Sequence, residues 1–180
     1  LPIFNNSGNR GKGAAAKIGI LASKGNWRLV FDADNTISIL EFIKAVPLLA
    51  PGQGVDVFTA SRAVRGTTVN PPMPIARRLS EFFLNIFIRL VLRIKIKDPI
   101  FGFHCFSAEA AEKIFPLLKI TGWSFSQEAV TLSERLGLKI KELPVQASYM
   151  DGSHFRLSNY LQMLWETIKI RWWLTLGKYR

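Results

Sequence analysis

Cysteine and histidine are nearly absent from this chain. The single cysteine in 180 residues, Cys105, excludes an intrachain disulfide and fits a reducing compartment. With only His104 and His154 beside it, the nitrogen and sulfur ligands of a structural zinc site are lacking. Acidic residues are also scarce, 13 against 24 lysines and arginines, which gives a formal charge of +11. That imbalance points to an anionic partner: nucleic acid, a lipid surface or a phosphorylated substrate. No apolar run reaches the length of a membrane span, and no signal-peptide pattern opens the chain. What is present is a hydrophobic fraction of 48%, enough to exclude disorder and to build one domain with a real core.

No internal repeat is visible, and helical and extended patterns alternate along the chain. Periodicity predicts helices over 14–23, 38–49 (bent or ended near Pro47), 75–96, 127–136 and 157–176, and a short one after Ser107, a plausible N-cap. The stretches "WRLVFDAD", "GVDVFTASR", "FGFHCFS" and "LKIKELPVQ" read as strands. "GTTVNPPMP", with three prolines and no hydrophobic period, reads as a loop. Strands alternating with helices predict an α/β sheet whose strand ends can carry a site.

"GNRGKGAAAKIGI" looks at first like a phosphate-cradling loop. The G-x-x-x-x-G-K-S/T pattern fails, because Asn6 stands where the first glycine belongs and Gly13 where the hydroxyl belongs. An ATPase reading is therefore excluded. A glycine-rich turn before a helix still offers backbone N–H groups to an anion.

The carboxylates of Asp32-Ala33-Asp34 end an apolar strand, where alternation would aim both at one hard cation. Ser61-Arg62 ends the next strand, and a guanidinium there could grip a phosphate with two parallel bonds. Asp98 precedes "PIFGFHCF", and Gly102 inside that apolar stretch suggests close approach by a ligand or another backbone.

In this order, "NRGKGAAAKIGI", "FDADNT", "SRA", "DPIFGFHCF", "FSQEAV" and "DGSHFR" resemble the motifs of family 2 glycosyltransferases. The group they resemble is the polyprenyl-phosphate sugar synthases, which make dolichyl-phosphate glucose or mannose. The resemblance runs from about Asn9 to the C-terminus. It implies a GT-A (Rossmann-like) nucleotide-sugar transferase fold of the α/β class. The implied reaction is transfer of a hexose from UDP-glucose or GDP-mannose to a polyprenyl phosphate, with inversion. The family's opening V-P-x-Y-N-E-like strand and helix have no counterpart here, so the expected fold lacks its first strand or strands.

The resemblance assigns roles position by position. Asp32 and Asp34, with Thr36 beside them, match the motif that holds Mg2+ or Mn2+ and the diphosphate, and Lys12 lies on the donor side. Arg62 and Asp98 are the implied catalytic residues. Arg62, Arg78, Ser153 and Arg156 are implied contacts of the acceptor phosphate, with Arg156 also reaching the diphosphate. Glu128 matches the acid of an F-x-x-E segment. The chain departs from the family's Cys-Gly-Phe-Lys by reading Phe101-Gly102-Phe103-His104, and from its Ser-basic pair by having His154 after Ser153.

Two helical segments support a lipid acceptor independently. Arg78, Glu81, Asn85, Arg89 and Arg93 recur at helical spacing and form a polar stripe beside Leu79, Phe82, Phe83, Ile86, Phe87, Leu90, Val91 and Ile94. Trp165, Trp172 and Trp173 lie among Lys169, Arg171, Lys178 and Arg180, a composition suited to a membrane interface. The expected organisation is a partial GT-A catalytic domain over 1–155 and an amphipathic interfacial helix over 156–180. The expected location is the cytoplasmic face of a membrane, peripherally bound. No RRM, KH or zinc-finger signature accompanies the basic charge, so nucleic acid is not an expected partner. Other readings are a transferase acting on another lipid or glycan, and a non-catalytic basic protein that binds membranes or nucleic acid.

Overall fold

The computed structural model describes residues 8–34, 36–49, 54–149 and 157–179. Its centre is a four-stranded sheet of β1 (Trp27–Val30), β2 (Val57–Ala60), β4 (His104–Ser107) and β5 (Ile140–Leu143), ordered β1-β4-β2-β5. β4 runs antiparallel to both neighbours, pairing Cys105 with Leu29 on one side and with Phe58 on the other. β2 and β5 are parallel. The two central strands are buried on both faces, which is why "VFTA" and "HCFS" are short apolar runs rather than alternating ones.

Helices α1 (Lys12–Ala22), α3 (Ala108–Ile114) and α4 (Phe125–Arg135) supply one core with Val57 and Phe106, centred on Ile20, Ile114, Phe115 and Leu132. Phe58, Phe106 and Phe115 are fully buried, and each contributes roughly 1.5–3 kcal/mol through area removed from water. Helices α2 (Ile75–Leu92) and α5 (Leu157–Thr175) pack on each other and on α4 through Leu84, Ile88, Phe125, Met163 and Ile170. That core spans the boundary expected at 156, so the last helix is packed into the body.

Several elements differ from expectation for identifiable reasons. Residues 38–49 form two 3-10 turns, Ile39–Lys44 and Val46–Leu48, because Pro47 cannot donate within a continuous helix. The 66–74 loop contains a two-residue strand, β3 (Thr68–Val69), paired in parallel with β6 (Gln146–Ala147). α2 stops at Leu92 because Arg93 adopts a left-handed conformation, φ 58°. The backbone N–H groups that follow are satisfied by side chains: Glu134 accepts from Lys95 and Ile96, and Glu142 accepts from Lys97 and Asp98. The expected cap of α3 is present, with Ser107 Oγ accepting from the Ala110 N–H at 3.1 Å.

α2 also faces the other way round from a simple amphipathic helix. Its stripe residues Glu81, Asn85 and Arg89 are only partly exposed, whereas Leu79, Phe82, Phe83, Ile86 and Leu90 reach solvent.

Candidate active site

A cavity of about 480 Å³ opens where β1, β2 and the bend before β4 end. Its lining holds two charge groups, Asp32 and Asp34 with Lys12, and Arg62 with Arg77 and Glu81.

The first group is built by the glycine-rich loop and the turn after β1. Asn9 Oδ1 accepts from the Gly11 N–H at 3.0 Å and shapes the start of α1. A Cβ at Gly11 would lie 2.4 Å from the Thr121 carbonyl oxygen, and one at Gly13 would lie 2.6 Å from Phe125 Cβ. Only glycine lets α1 dock so closely on the 120–125 loop. The N–H groups of Gly13 and Ala14 then donate to the Thr121 carbonyl at 2.8 and 3.3 Å. They are therefore not the open anion cradle that the loop suggested; the glycines serve packing. Docking sets Lys12 beside Asp32 as an ion pair, with its ammonium 5.2 Å from the Trp123 ring centroid.

Asp32 and Asp34 both line the cavity, but not by strand alternation. β1 ends at Val30, and the carboxylates stand in the turn beyond it. Asp34 Oδ1 accepts from the Thr36 N–H at 3.0 Å, a local bond that competes with extending the strand. Thr36 lines the cavity as well. Gly102 has the role anticipated from close approach, and the approaching group is Asp32: a Cβ at 102 would come within 2.3 Å of its Oδ2.

The second group is a tight charge cluster. Arg62 follows β2 and reaches Asp98 twice, Nε to Oδ2 at 2.8 Å and Nη2 to Oδ1 at 2.9 Å. Its own backbone N–H also donates to Oδ2 at 2.9 Å. Asn85 of α2 donates to Oδ1 at 3.1 Å. Arg62 Nη1 pairs with Glu81, which Arg77 Nε approaches at 3.1 Å on its other oxygen. The Arg62 guanidinium lies 4.6 Å from the Phe101 ring centroid.

Asp98 is 1% exposed. Burial pushes its carboxyl up, but the Arg62 charge and the hydrogen bonds outweigh that and hold it below the ordinary range. Burial likewise opposes the Arg62 charge, and Asp98 and Glu81 together hold that guanidinium firmly protonated. The implied catalytic residue Asp98 is thus an ionised, enclosed carboxylate that orients Arg62, and it is not a base open to substrate.

Two further implied residues stand outside the cavity lining. Arg78 is exposed on α2, and Arg77, one helical step round, faces the cavity in its place. Glu128 is fully buried in α4 and accepts from the N–H groups of Lys119 and Ile120 at 3.0 and 2.9 Å and from the Tyr179 hydroxyl at 2.5 Å. Burial raises its carboxyl despite those bonds. Glu128 therefore braces the loop whose Thr121 carbonyl receives α1. Ser153 and Arg156 lie outside the described residues.

Residue-by-residue reading missed Arg77, Glu81, Trp123, Tyr149 and Tyr160 as cavity residues. The Arg77–Glu81 spacing of four was a legible signal, since such a pair shares one helix face. Nothing in the local sequence marked Trp123, which arrives through the docking of α1.

Among the described residues no group of three His, Cys, Asp or Glu side chains could hold a metal alone. Two carboxylates on the cavity lining, Asp32 and Asp34, are oxygen donors of the kind a hard cation takes, and the Lys12 ammonium paired with Asp32 is the counter-charge such a cation would replace there.

The model of glycosyl transferase family 2 matches residues 2–115. The chain belongs to that family. It is 32% identical to a dolichyl-phosphate beta-glucosyltransferase of Dictyostelium discoideum, over 94% of this chain and 53% of the relative. It is 31% identical to the Saccharomyces cerevisiae protein of the same description, over 99% of this chain and 57% of the relative. The chain therefore spans about half the length of the curated relatives it matches.

Among solved structures, it resembles glucosyl-3-phosphoglycerate synthase from Mycobacterium tuberculosis in complex with phosphoglyceric acid. That match has a TM-score of 0.62 at 16% identity, covering 98% of this chain and 57% of the other. The same synthase with Mn2+, UDP-glucose and glycerol 3-phosphate gives a TM-score of 0.58 at 17% identity, covering 98% and 57%. The fold of this family 2 chain is accordingly GT-A, a mixed sheet with its site at the strand ends.

Proposed function

We propose that this family 2 chain carries the site of an inverting glycosyltransferase that moves a hexose from a nucleotide-sugar to a polyprenyl phosphate. The observation that carries the reading is one cavity lined by both the carboxylate pair Asp32 and Asp34 and the guanidinium pair Arg62 and Arg77. The activity named for the relatives favours glucose, hence UDP-glucose, over mannose.

In this reading Asp32 and Asp34 would hold Mg2+ or Mn2+, with Thr36 at the same rim and Lys12 beside them. The metal, when bound, neutralises charge developing on the departing nucleoside diphosphate. Arg62, held rigid by Asp98, and Arg77 bind and orient the acceptor phosphate. One phosphate oxygen attacks the anomeric carbon on the face opposite the diphosphate. The new carbon–oxygen bond forms as the bond to the diphosphate breaks, and that electron pair leaves with the diphosphate. The acceptor is already ionised at neutral pH, so no proton needs removing. Positioning and electrostatics suffice, which fits a cavity whose Asp98 is enclosed. Ser153 and Arg156 are proposed to add further phosphate contacts, as the family resemblance implies.

The lipid tail would extend along the outer face of α2 and α5. That face exposes Ile75, Phe83, Leu90, Leu161, Trp165 and Trp172, with Lys169 and Lys178 over the two tryptophan rings. Among the described residues no helix is long and apolar enough to cross a membrane. We place the protein peripherally on the cytoplasmic leaflet, with α5 packed inward on one side and presenting its outer side to lipid.

The test is transfer of radiolabelled sugar from UDP-glucose and GDP-mannose, with polyprenyl phosphate or 3-phosphoglycerate as acceptor. It is run with Mn2+ or EDTA, using this chain and any longer natural form that contains it. Metal-dependent, organic-extractable glucose is expected. Product on 3-phosphoglycerate alone would replace the lipid acceptor. No product from any pair, together with salt-sensitive oligonucleotide binding, would favour a binding protein.

A further inference from the structure

The cavity wall beside Lys12 is held from behind by a buried acid of the last helix. Glu166 of α5 is 7% exposed and is not itself part of the cavity lining. Its Oε2 accepts from the Ser124 N–H at 2.9 Å, and its Oε1 accepts from Gln162 Nε2 at 2.8 Å. The same carboxylate lies against Gly122: a Cβ there would collide with Oε1 and come within 2.5 Å of Gln162 Nε2. One side chain thus fixes the residues on both sides of Trp123. Ser124 is fully buried, so its N–H depends on that oxygen, and it is the N-cap residue of α4, where a negative charge is favourable.

Trp123 does line the cavity. The Lys12 ammonium stands within cation–π range of its ring, and Lys12 is paired in turn with Asp32. The contacts therefore run in series from Glu166 through the 122–124 backbone to Trp123, Lys12 and Asp32. A lysine stem has many rotamers, and the ring and the carboxylate are what limit this one.

We propose that Glu166 is a positioning residue for the donor: it holds the backbone around Trp123 so that the indole keeps Lys12 in place beside Asp32 and Asp34. This rests on reading Asp32 and Asp34 as the diphosphate side of the cavity. The role needs hydrogen-bond geometry more than charge. Glutamine at 166 can still accept from the Ser124 N–H, and its amide can donate to Gln162 once the exposed Gln162 amide turns over. Alanine can do neither and leaves the Ser124 N–H buried without its acceptor.

The first readout needs no ligand. Protein labelled with 5-fluorotryptophan is read by fluorine NMR, with tryptophan-to-phenylalanine changes identifying the lines. Glu166→Ala is expected to move or broaden the Trp123 line while those of Trp27 and Trp172 stay, and Glu166→Gln is expected to restore it. The second readout is binding of UDP with Mn2+ and, separately, of citronellyl phosphate, a short polyprenyl phosphate. Glu166→Ala is expected to bind UDP about tenfold more weakly with citronellyl phosphate unchanged, and Glu166→Gln to stay within about twofold of wild type. Adding Glu166→Ala to Trp123→Ala is expected to weaken UDP binding no further, because both act on one path.

Additive losses, a glutamine variant as weak as the alanine one, or movement of the Trp27 and Trp172 lines along with that of Trp123 overturns the proposal and leaves Glu166 as a brace of the fold. If the alanine variant unfolds, Glu166→Asp replaces it, with a shorter reach and the same expected signs. Absence of UDP binding by the wild-type protein would end the donor reading and the proposal with it. If Trp123→Ala weakens UDP binding while Glu166→Ala changes neither readout, the Glu166 proposal alone fails.

Discussion

The two charge groups of the cavity hold the same kinds of side chain in opposite ways. In the first group, Asp34 is exposed, and Asp32 is about one-third exposed with one lysine beside it. These carboxylates carry few bonds, the Lys12 ion pair on Asp32 and the Thr36 N–H on Asp34, and a cation would displace only the lysine. In the second group, Arg62 is tied to two carboxylates, and Asp98 is closed off from solvent. There the charges are already paired and rigid, and a ligand must enter by exchange. The difference teaches that charge alone does not mark a site's role. What matters is which charges are free to change partners, and in this cluster Arg77 is the most exposed member and Asp98 the least.

The sharpest way to break the comparison is Arg62→Ala. If the second group is rigid because its charges are buried and paired, this change strands Asp98. It should cost about 3–5 kcal/mol of stability in a denaturant titration and abolish transfer. A loss below about 1 kcal/mol would mean that the pair is no more than a surface contact. The first group should respond the other way. Asp32→Asn is expected to lower transfer by about a hundredfold to a thousandfold while leaving the unfolding midpoint nearly unchanged, because the carboxylate is partly exposed and lightly paired. A large loss of stability would erase the contrast between the groups.

Much of this was legible in the sequence. The alternation of elements, the cap at Ser107 and four of the five long helical periods located the layers, the segment 38–49 being two 3-10 turns. The carboxylates after β1 and the arginine after β2 marked residues that line or border the cavity, although only β2 is buried throughout. The rest depends on tertiary placement. The glycine-lysine-glycine loop looked like an anion cradle, but its N–H groups are taken by Thr121, a partner more than a hundred residues away in sequence. The spacing of four from Glu81 set Arg77 apart from Arg78, but which of the two faces the cavity depends on the phase of α2, fixed where Glu81 reaches Arg62. Glu128 carried a motif's signature but points into the core, where backbone N–H groups and Tyr179 surround it. In each case the chemistry of the residue was readable and its partner was not.

The account's central claim is that one cavity brings the donor's diphosphate and the acceptor's phosphate together at these two groups. The most direct measurement is relaxation of the phosphorus resonance of citronellyl phosphate by Mn2+ bound with UDP. The account predicts strong relaxation in the wild-type protein, lost in Asp32→Asn, where the metal leaves, and in Arg62→Ala, where the acceptor leaves. A phosphorus signal that Mn2+ and UDP do not relax, although both ligands bind, would contradict it.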